Sequence, residues 1–191
     1  MAPEAIFWDH EASTARGFAN VRTTTATWGP ASGWSVDLST IESRPGASVA
    51  VAFGDPEVDI TQALAEFRAA VPDAALLACS TAGQILGPRV DPAPLVLAMC
   101  TFDSARVVSG FIHEDGSGSK AMGTRLAAEL LQDAGRERIA GVMVFGGGLE
   151  TNGSALVEGL MEVLPPGTPI SGGLAGDGPR FEKTWVHCNG Q

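Results

Sequence analysis

Four short, uninterrupted apolar segments constrain this chain more than any other feature of its sequence. They are VAVAF (49–53), ALLAC (75–79), LVLAM (95–99) and GVMVF (141–145). Continuous apolar runs of strand length are typical of strands that are covered on both faces, so these four predict the middle of a sheet. Two more mixed segments, VVSGFIH (107–113) and TWVHC (184–188), predict strands nearer a sheet edge or with one wetter face.

Three segments between the apolar runs have the period of an amphipathic helix. They cover approximately residues 59–71, 119–134 and 153–164. Asp59 and Gln62 have the spacing of a capping box at the first helix. Gly135 closes the second helix, and Thr151 or Asn152 caps the third. The order β-α-β-β-β-α-β-α-β-β predicts one α/β domain, with a layered, mixed β-sheet covered by helices.

The first 46 residues are polar, rich in threonine and without sustained periodicity. They predict a loosely ordered N-terminal extension over residues 1–24, followed by a domain over residues 25–191. Within them, residues 21–28 alternate threonine with small or β-branched residues, which indicates an edge strand.

The charge of the chain excludes several classes of partner. The chain has 12 Lys and Arg residues and 22 Asp and Glu residues, which gives a formal net charge of −10. This charge repels nucleic acid phosphates and anionic membrane surfaces. The acidic N-terminus lacks the basic and long apolar stretches of a secretory signal, which predicts a cytoplasmic protein. Three widely spaced cysteines indicate neither a disulfide framework nor a structural zinc site.

Glycine-rich segments follow three of the predicted strands. They are ACSTAG (78–83), FGGGLETNGS (145–154) and SGGLAGDG (171–178). In open α/β sheets, ligands bind where strands end, because loops there expose backbone N–H groups and the next helix adds the positive end of its dipole. The three segments therefore predict one pocket, ringed by residues 79–83, 146–152 and 172–178.

The same segments, in their longer forms, resemble one protein family. LLACSTAGQILGPRV (76–90), GLETNGSALVEGL (148–160) and PISGGLAGDGPRFEKTWV (169–186) are similar, in order and separation, to the N-terminal domain of the FIST family, over about residues 47–190. The resemblance implies a bacterial or archaeal sensory domain of signal transduction that binds small ligands such as amino acids and acts on a separate signalling protein. Family members continue into a second, C-terminal FIST domain, so the resemblance implies that the last part of the family's architecture is missing here.

The resemblance also implies a set of ligand-binding positions. They are Cys79, Ser80, Thr81, Ala82, Gly83, Asn152, Gly153, Gly172, Gly173, Asp177 and Gly178, to which the strand-end loops add Gly146, Gly147 and Gly148. We expect backbone N–H groups of residues 80–83 and 146–148 to bind a ligand carboxylate, and Asp177 to accept a hydrogen bond from a ligand ammonium group.

Each of these residues also has a purely structural interpretation. The glycines and Asp177 suit tight turns, and Cys79 suits a buried core. The hydroxyls of Ser80 and Thr81 suit turn capping, and Asn152 suits a helix N-cap. A ligand-free interaction domain is therefore an alternative. It predicts that Gly173→Ala impairs folding and that Asp177→Asn has no measurable effect.

Two further functions are weighed against ligand sensing. The resemblance to the FIST family implies one alternative, a haem-binding nitric-oxide sensor. The candidate iron ligand is His187, which is predicted on the same strand face as Trp185. Among enzymes, Ser80 lacks the flanking glycines of a nucleophile elbow, and the GGGLETNG segment lacks a P-loop lysine and breaks G-x-G-x-x-G. A nucleophilic pair of Cys79 with His113 or His187 stays open. The sequence predicts no catalytic turnover and names no cofactor or metal.

Overall fold

The computed structural model describes residues 4–10, 20–135 and 139–191 of the chain. The strands in these residues are β1 Glu4–His10, β2 Val21–Gly29, β3 Gly33–Trp34, β4 Ser48–Gly54, β5 Ala75–Ser80, β6 Gln84–Leu86, β7 Arg89–Asp91, β8 Leu95–Phe102, β9 Ala105–Phe111, β10 Ile139–Gly146, β11 Ile170–Leu174 and β12 Val186–Cys188. The helices are α1 Thr61–Ala70, α2 Ser119–Ala134 and α3 Gly153–Val163.

The strands form two mixed sheets and one small hairpin. The larger sheet has the order β12-β5-β4-β8-β2-β3, and the smaller sheet has the order β11-β10-β1-β9, while β6 pairs with β7. All four continuous apolar segments lie in interior strands, and the two mixed segments lie in the edge strands β9 and β12. Both predictions from hydrophobic patterning are confirmed.

The two sheets pack face to face between two layers of helix. Val49, Leu77, Phe145 and Cys188 belong to the core between the sheets. Phe67 of α1 packs on the outer face of the larger sheet. Helices α2 and α3 cover the outer face of the smaller sheet. The layers are thus helix, sheet, sheet and helix, which confirms the predicted layered α/β domain and adds a second sheet to it.

The N-terminal residues differ from their prediction. The backbone of Glu4–His10 forms β1, which pairs with both β9 and β10 in the middle of the smaller sheet, although the sequence predicts a loosely ordered extension over residues 1–24. Its hydrogen-bonding partners lie far along the chain, so the local sequence pattern does not reveal the strand. Strand β2 begins at Val21 as predicted, but it lies between β8 and the two-residue β3 instead of at the edge of the sheet. Residues 1–3 and 11–19 of the predicted extension lie outside the described residues.

The start of α1 also differs from its prediction. The N-cap residue is Ile60, so Asp59 precedes the helix, and its Oδ1 accepts a hydrogen bond from the Thr61 N–H at 2.9 Å. The Gln62 side chain bonds to Glu66 at 2.7 Å instead of reaching back to the cap. The capping box is absent because the helix begins after Asp59, which leaves this carboxylate to close a local turn. The predicted C-cap Gly135 is confirmed.

Candidate functional site

The three glycine-rich loops converge as the sequence predicts. The Gly176 N–H donates to the Ser80 carbonyl at 2.9 Å, which joins the third loop to the first. The Ala175 N–H donates to the Gly146 carbonyl at 2.8 Å, which joins the third loop to the second. Main chain from three distant segments therefore meets at one end of the domain.

The meeting point is filled by the protein itself. A Cβ built on Gly148 would lie 1.8 Å from the Ala175 carbonyl oxygen, and one built on Gly172, whose φ is 132°, would lie 1.8 Å from the Val144 oxygen. These glycines permit the backbone to pack this closely. Gly173 is different, because its Cβ would meet nothing within 4 Å and its φ is not left-handed. The ligand-free alternative predicts that Gly173→Ala impairs folding. The open space at Gly173 gives no packing reason for that effect.

The polar residues of the first loop make contacts within the fold. Cys79 is buried in the core between the sheets. The Ser80 side chain is buried, and its Oγ accepts a hydrogen bond from the Trp185 N–H at 3.1 Å. The Thr81 hydroxyl donates to the Gly83 carbonyl at 3.1 Å. Cys79 and Thr81 thus have the contacts that their structural interpretation predicts, whereas the Ser80 hydroxyl joins its strand end to the distant Trp185 instead of capping its own turn.

The second loop leads directly into α3. The Asn152 side chain accepts a hydrogen bond from the Ala155 N–H at 3.1 Å, which makes it the N-cap, and Gly153 is the first helical residue. Gly147 is buried. Ala82, in the first loop, is exposed. The structure therefore brings the predicted positions together but gives Asn152 a capping role.

Asp177 is almost fully buried, with 3% of its surface exposed. Its carboxylate accepts backbone N–H bonds from Phe181 at 3.2 Å, Glu182 at 2.7 Å and Lys183 at 3.0 Å. These bonds, led by those from Lys183 and Glu182, hold the pKa of Asp177 below its usual value. Gly178 beside it has a left-handed φ of 72°. The carboxylate thus organises its own loop, and its hydrogen-bonding capacity is largely used there.

A large cavity lies beside this end of the domain, between α1 and β12. Its volume is about 830 Å³, within the range of small-molecule sites. The residues that line it are Pro56, Glu57, Val58, Asp59, Ile60, Thr61, Leu64, Ala65, Arg68, Lys183, Trp185, Val186, His187 and Gly190. Helix α1 contributes a single face, because Thr61, Leu64 and Arg68 lie three to four residues apart. Trp185 and His187 both line the cavity, which agrees with the prediction that they project from the same face of their strand.

Arg68 is the cation at one end of this cavity. The residue is half-buried, and one guanidinium nitrogen donates to the Asn189 Oδ1 at 3.3 Å. Among the residues that the structure describes, Arg68 forms no ion pair. A half-buried arginine with no carboxylate partner has N–H donors to offer to an anion.

The opposite end of the cavity carries acidic side chains. Glu57 and Asp59 lie before the first turn of α1, where Glu57 contacts Arg180 at 3.6 Å. The pKa of Asp59 is lowered by its bonds to Thr61 and, to a smaller extent, by the charge of Lys183. From Thr61 to Arg68 the helix rises about 10 Å. Near the start of α1 the cavity therefore has two carboxylates with the cations Lys183 and Arg180 beside them, and near the last turn of α1 it has Arg68.

His187 is half-buried beside Arg68. Its Nε2 accepts a hydrogen bond from the Gly190 N–H at 3.1 Å, so the neutral ring carries its proton on Nδ1. Burial, followed by the positive charge of Arg68, lowers the pKa of His187 below its ordinary value.

We expect Arg68→Gln to raise the pKa of His187, because the substitution removes a neighbouring positive charge. The pH dependence of the His187 ring proton shifts in NMR spectra measures this. In the wild type, the neutral ring stabilises the fold at high pH, and that contribution falls as the pH drops below about 6.5 towards the lowered pKa. An unchanged His187 titration in Arg68→Gln would show that the guanidinium does not act on the ring.

His187 also bears on the haem and enzyme alternatives. An iron ion at Nε2 would have to displace the Gly190 N–H, so the ring is not prepared as an axial ligand. His187 pairs with Ala78 and lies on the α1 face of the sheet, whereas Cys79 faces the other sheet. The two side chains therefore do not form a nucleophilic pair. Within the described part of the chain, no group of three or more His, Cys, Asp or Glu side chains is arranged to hold a metal ion.

Sequence reasoning missed the cavity although it identified His187. Arg68 and Lys183 belong to segments far apart in the chain, and the local sequence around each residue does not indicate that both line one cavity. The one available signal was the position of Arg68, one helical turn after Leu64 on the apolar stripe of α1.

Comparison with protein families identifies the family of this chain. The sequence model of the FIST N domain matches residues 48–191. No curated protein and no solved structure gives a significant match. None of the described helices has the length and apolar character needed to cross a membrane. FIST domains are sensory domains of signal transduction. The match covers most of the chain and includes all three glycine-rich loops, and the chain therefore belongs to the FIST N domain family.

Proposed function

We propose that this chain senses a small zwitterionic molecule, and that the ligand binds in the cavity between α1 and β12. The observation that carries this proposal is the half-buried Arg68, which has no carboxylate partner among the described residues, in a cavity of about 830 Å³. In the closed loops, by contrast, glycines and Asp177 are engaged by the protein's own main chain. The proposed site is thus adjacent to the predicted loops and not inside them.

The Arg68 guanidinium and the carboxylates of Glu57 and Asp59, which line different parts of the cavity, support a ligand with an anionic and a cationic end. A ligand carboxylate would bind the Arg68 guanidinium in a charge-assisted, bidentate manner. A ligand cation would lie near Glu57 and Asp59, about two helical turns away. Amino acids with a long basic side chain, such as lysine and arginine, fit this separation better than short ones.

The apolar lining supports the same class of ligand. Val58, Leu64 and Trp185 line the cavity together with its charged side chains. Methylene groups of a basic amino acid would pack on these side chains, and the Trp185 ring would attract the cationic end. We further propose that the ligand is bound without chemical change, since Cys79 and His187 lie on opposite faces of their sheet.

A thermal-shift panel of amino acids tests this function. A ligand present at 100 times its dissociation constant should add about 2.7 kcal/mol to the free energy of unfolding. We expect lysine and arginine to raise the melting temperature more than leucine or glutamate. The ligand should be recovered unaltered after incubation. If no amino acid raises the melting temperature, the proposed ligand class is wrong and the ligand-free alternative gains support.

A further inference from the structure

Strand β11 forms an open edge of the smaller sheet. It pairs only with β10 among the described residues. The Pro169 carbonyl accepts from the Val142 N–H at 2.9 Å, and the Ala175 N–H donates to the Gly146 carbonyl at 2.8 Å. Backbone groups alternate in direction along a strand. Those of Ile170, Gly172 and Leu174 therefore point away from the sheet.

A groove on the outer face of α3 lies next to this edge. Its volume is about 670 Å³, and it is lined by Gly153, Ser154, Val157, Glu158, Met161 and Glu162. The Leu174 side chain reaches the start of α3, 3.7 Å from a Cβ built on Gly153. Met161 in the groove is 66% exposed and Leu174 on the strand is 43% exposed, so both the helix and the strand present an apolar side chain to solvent.

The β11 edge lacks the devices that usually protect an open edge. Natural edge strands carry lysine, proline or a bulge that prevents pairing with another chain. Strand β11 has the sequence ISGGL, and its register with β10 is continuous. Residues 171–174 are exposed. Both the hydrogen-bonding groups and the apolar groove are therefore accessible together.

We propose that this β11–α3 surface binds an extended segment of a partner protein, which adds to the sheet beside β11. Alternate side chains of the segment would enter the groove, as in other strand-addition complexes. The segment would be apolar and basic, because Glu158 and Glu162 both line the groove and share a single cation, Lys120, at 2.8 and 2.7 Å. A second copy of the chain is a poorer occupant, since it carries the same acidic groove and a net charge of −10.

Hydrogen exchange with a defined peptide tests the proposal. The probe is a capped seven-residue peptide that alternates valine and lysine, and its control replaces every lysine with glutamate. With the lysine peptide at saturation, we expect exchange of the Gly172 and Leu174 amides to slow at least tenfold. The glutamate peptide should leave both rates unchanged.

Two matched variants separate this surface from non-specific attraction. Met161→Lys, in the groove, should weaken binding of the lysine peptide at least tenfold. Ile85→Lys, at a residue of similar exposure on the β6–β7 hairpin, changes the net charge equally and should alter the affinity less than twofold. Equal loss in both variants, or protection of other amides only, would overturn the proposal. Slow exchange at Gly172 and Leu174 without peptide, in a protein that sediments as a dimer, would show that a second copy occupies the edge.

Discussion

Gly148→Ala is expected to lower the free energy of unfolding by about 3 kcal/mol, whereas Gly173→Ala should change it by less than about 1 kcal/mol. The added methyl group at Gly148 would lie 1.8 Å from the Ala175 carbonyl oxygen, so the backbone of two loops would have to move apart. At Gly173 the same methyl group meets nothing within 4 Å. The alanine there also reduces the conformational freedom of the unfolded chain, which offsets other losses.

Urea denaturation of the two variants, compared with the wild type, measures this difference. Gly148 and Gly173 belong to loop and strand segments of the same glycine-rich region, so each serves as the control for the other. Equal destabilisation of both variants would contradict the close packing described for the converging loops. A stable Gly148→Ala protein would imply that these loops leave open space, and it would restore them as a candidate ligand site.

Much of the fold was predictable because the relevant signals are local. The segments VAVAF and ALLAC have no polar position, and each became a strand covered on both faces. The 119–134 helix was predicted with its observed limits, since Gly135 supplies the left-handed residue that ends it. In these elements, hydrophobic period and turn chemistry agree with the final structure.

The division into two sheets was not predictable from such signals. Strand β1 lies between β9 and β10, and its register places Glu4 opposite Phe145. Strand pairing of this kind depends on contacts between distant segments, which a pattern within one segment does not encode. The short β6–β7 hairpin and the two-residue β3 were missed because they lack a run long enough to show alternation.

The candidate site was also predictable only in part, because it depends on contacts between distant segments. The sequence correctly predicted that three glycine-rich loops meet, because glycine marks both close packing and ligand approach. The sequence does not distinguish close packing from ligand approach, because the difference depends on the positions of atoms such as the Ala175 oxygen beside Gly148. The cavity itself arises where α1 packs near β12. Arg68 and His187 become neighbours only through that packing.

Arg68→Gln is expected to weaken binding of the preferred amino acid about thirtyfold, which corresponds to about 2 kcal/mol. Glutamine is shorter than arginine but keeps a polar N–H donor, and it loses the positive charge and the fork of donors that match a carboxylate. Arg44→Gln is the matched control, because Arg44 is an exposed arginine paired with Asp103 at 3.1 Å, outside the cavity lining. This control should bind the ligand as the wild type does.

Calorimetric titration of the wild type, Arg68→Gln and Gly173→Ala with that amino acid tests the central claim most directly. Arg68 lines the α1–β12 cavity, whereas Gly173 belongs to the glycine-rich positions predicted from sequence and tolerates a methyl group. If the cavity is the sensing site, Arg68→Gln loses affinity about thirtyfold and Gly173→Ala retains it. Loss of affinity in Gly173→Ala, with wild-type binding by Arg68→Gln, would place the ligand at the loops and contradict the account.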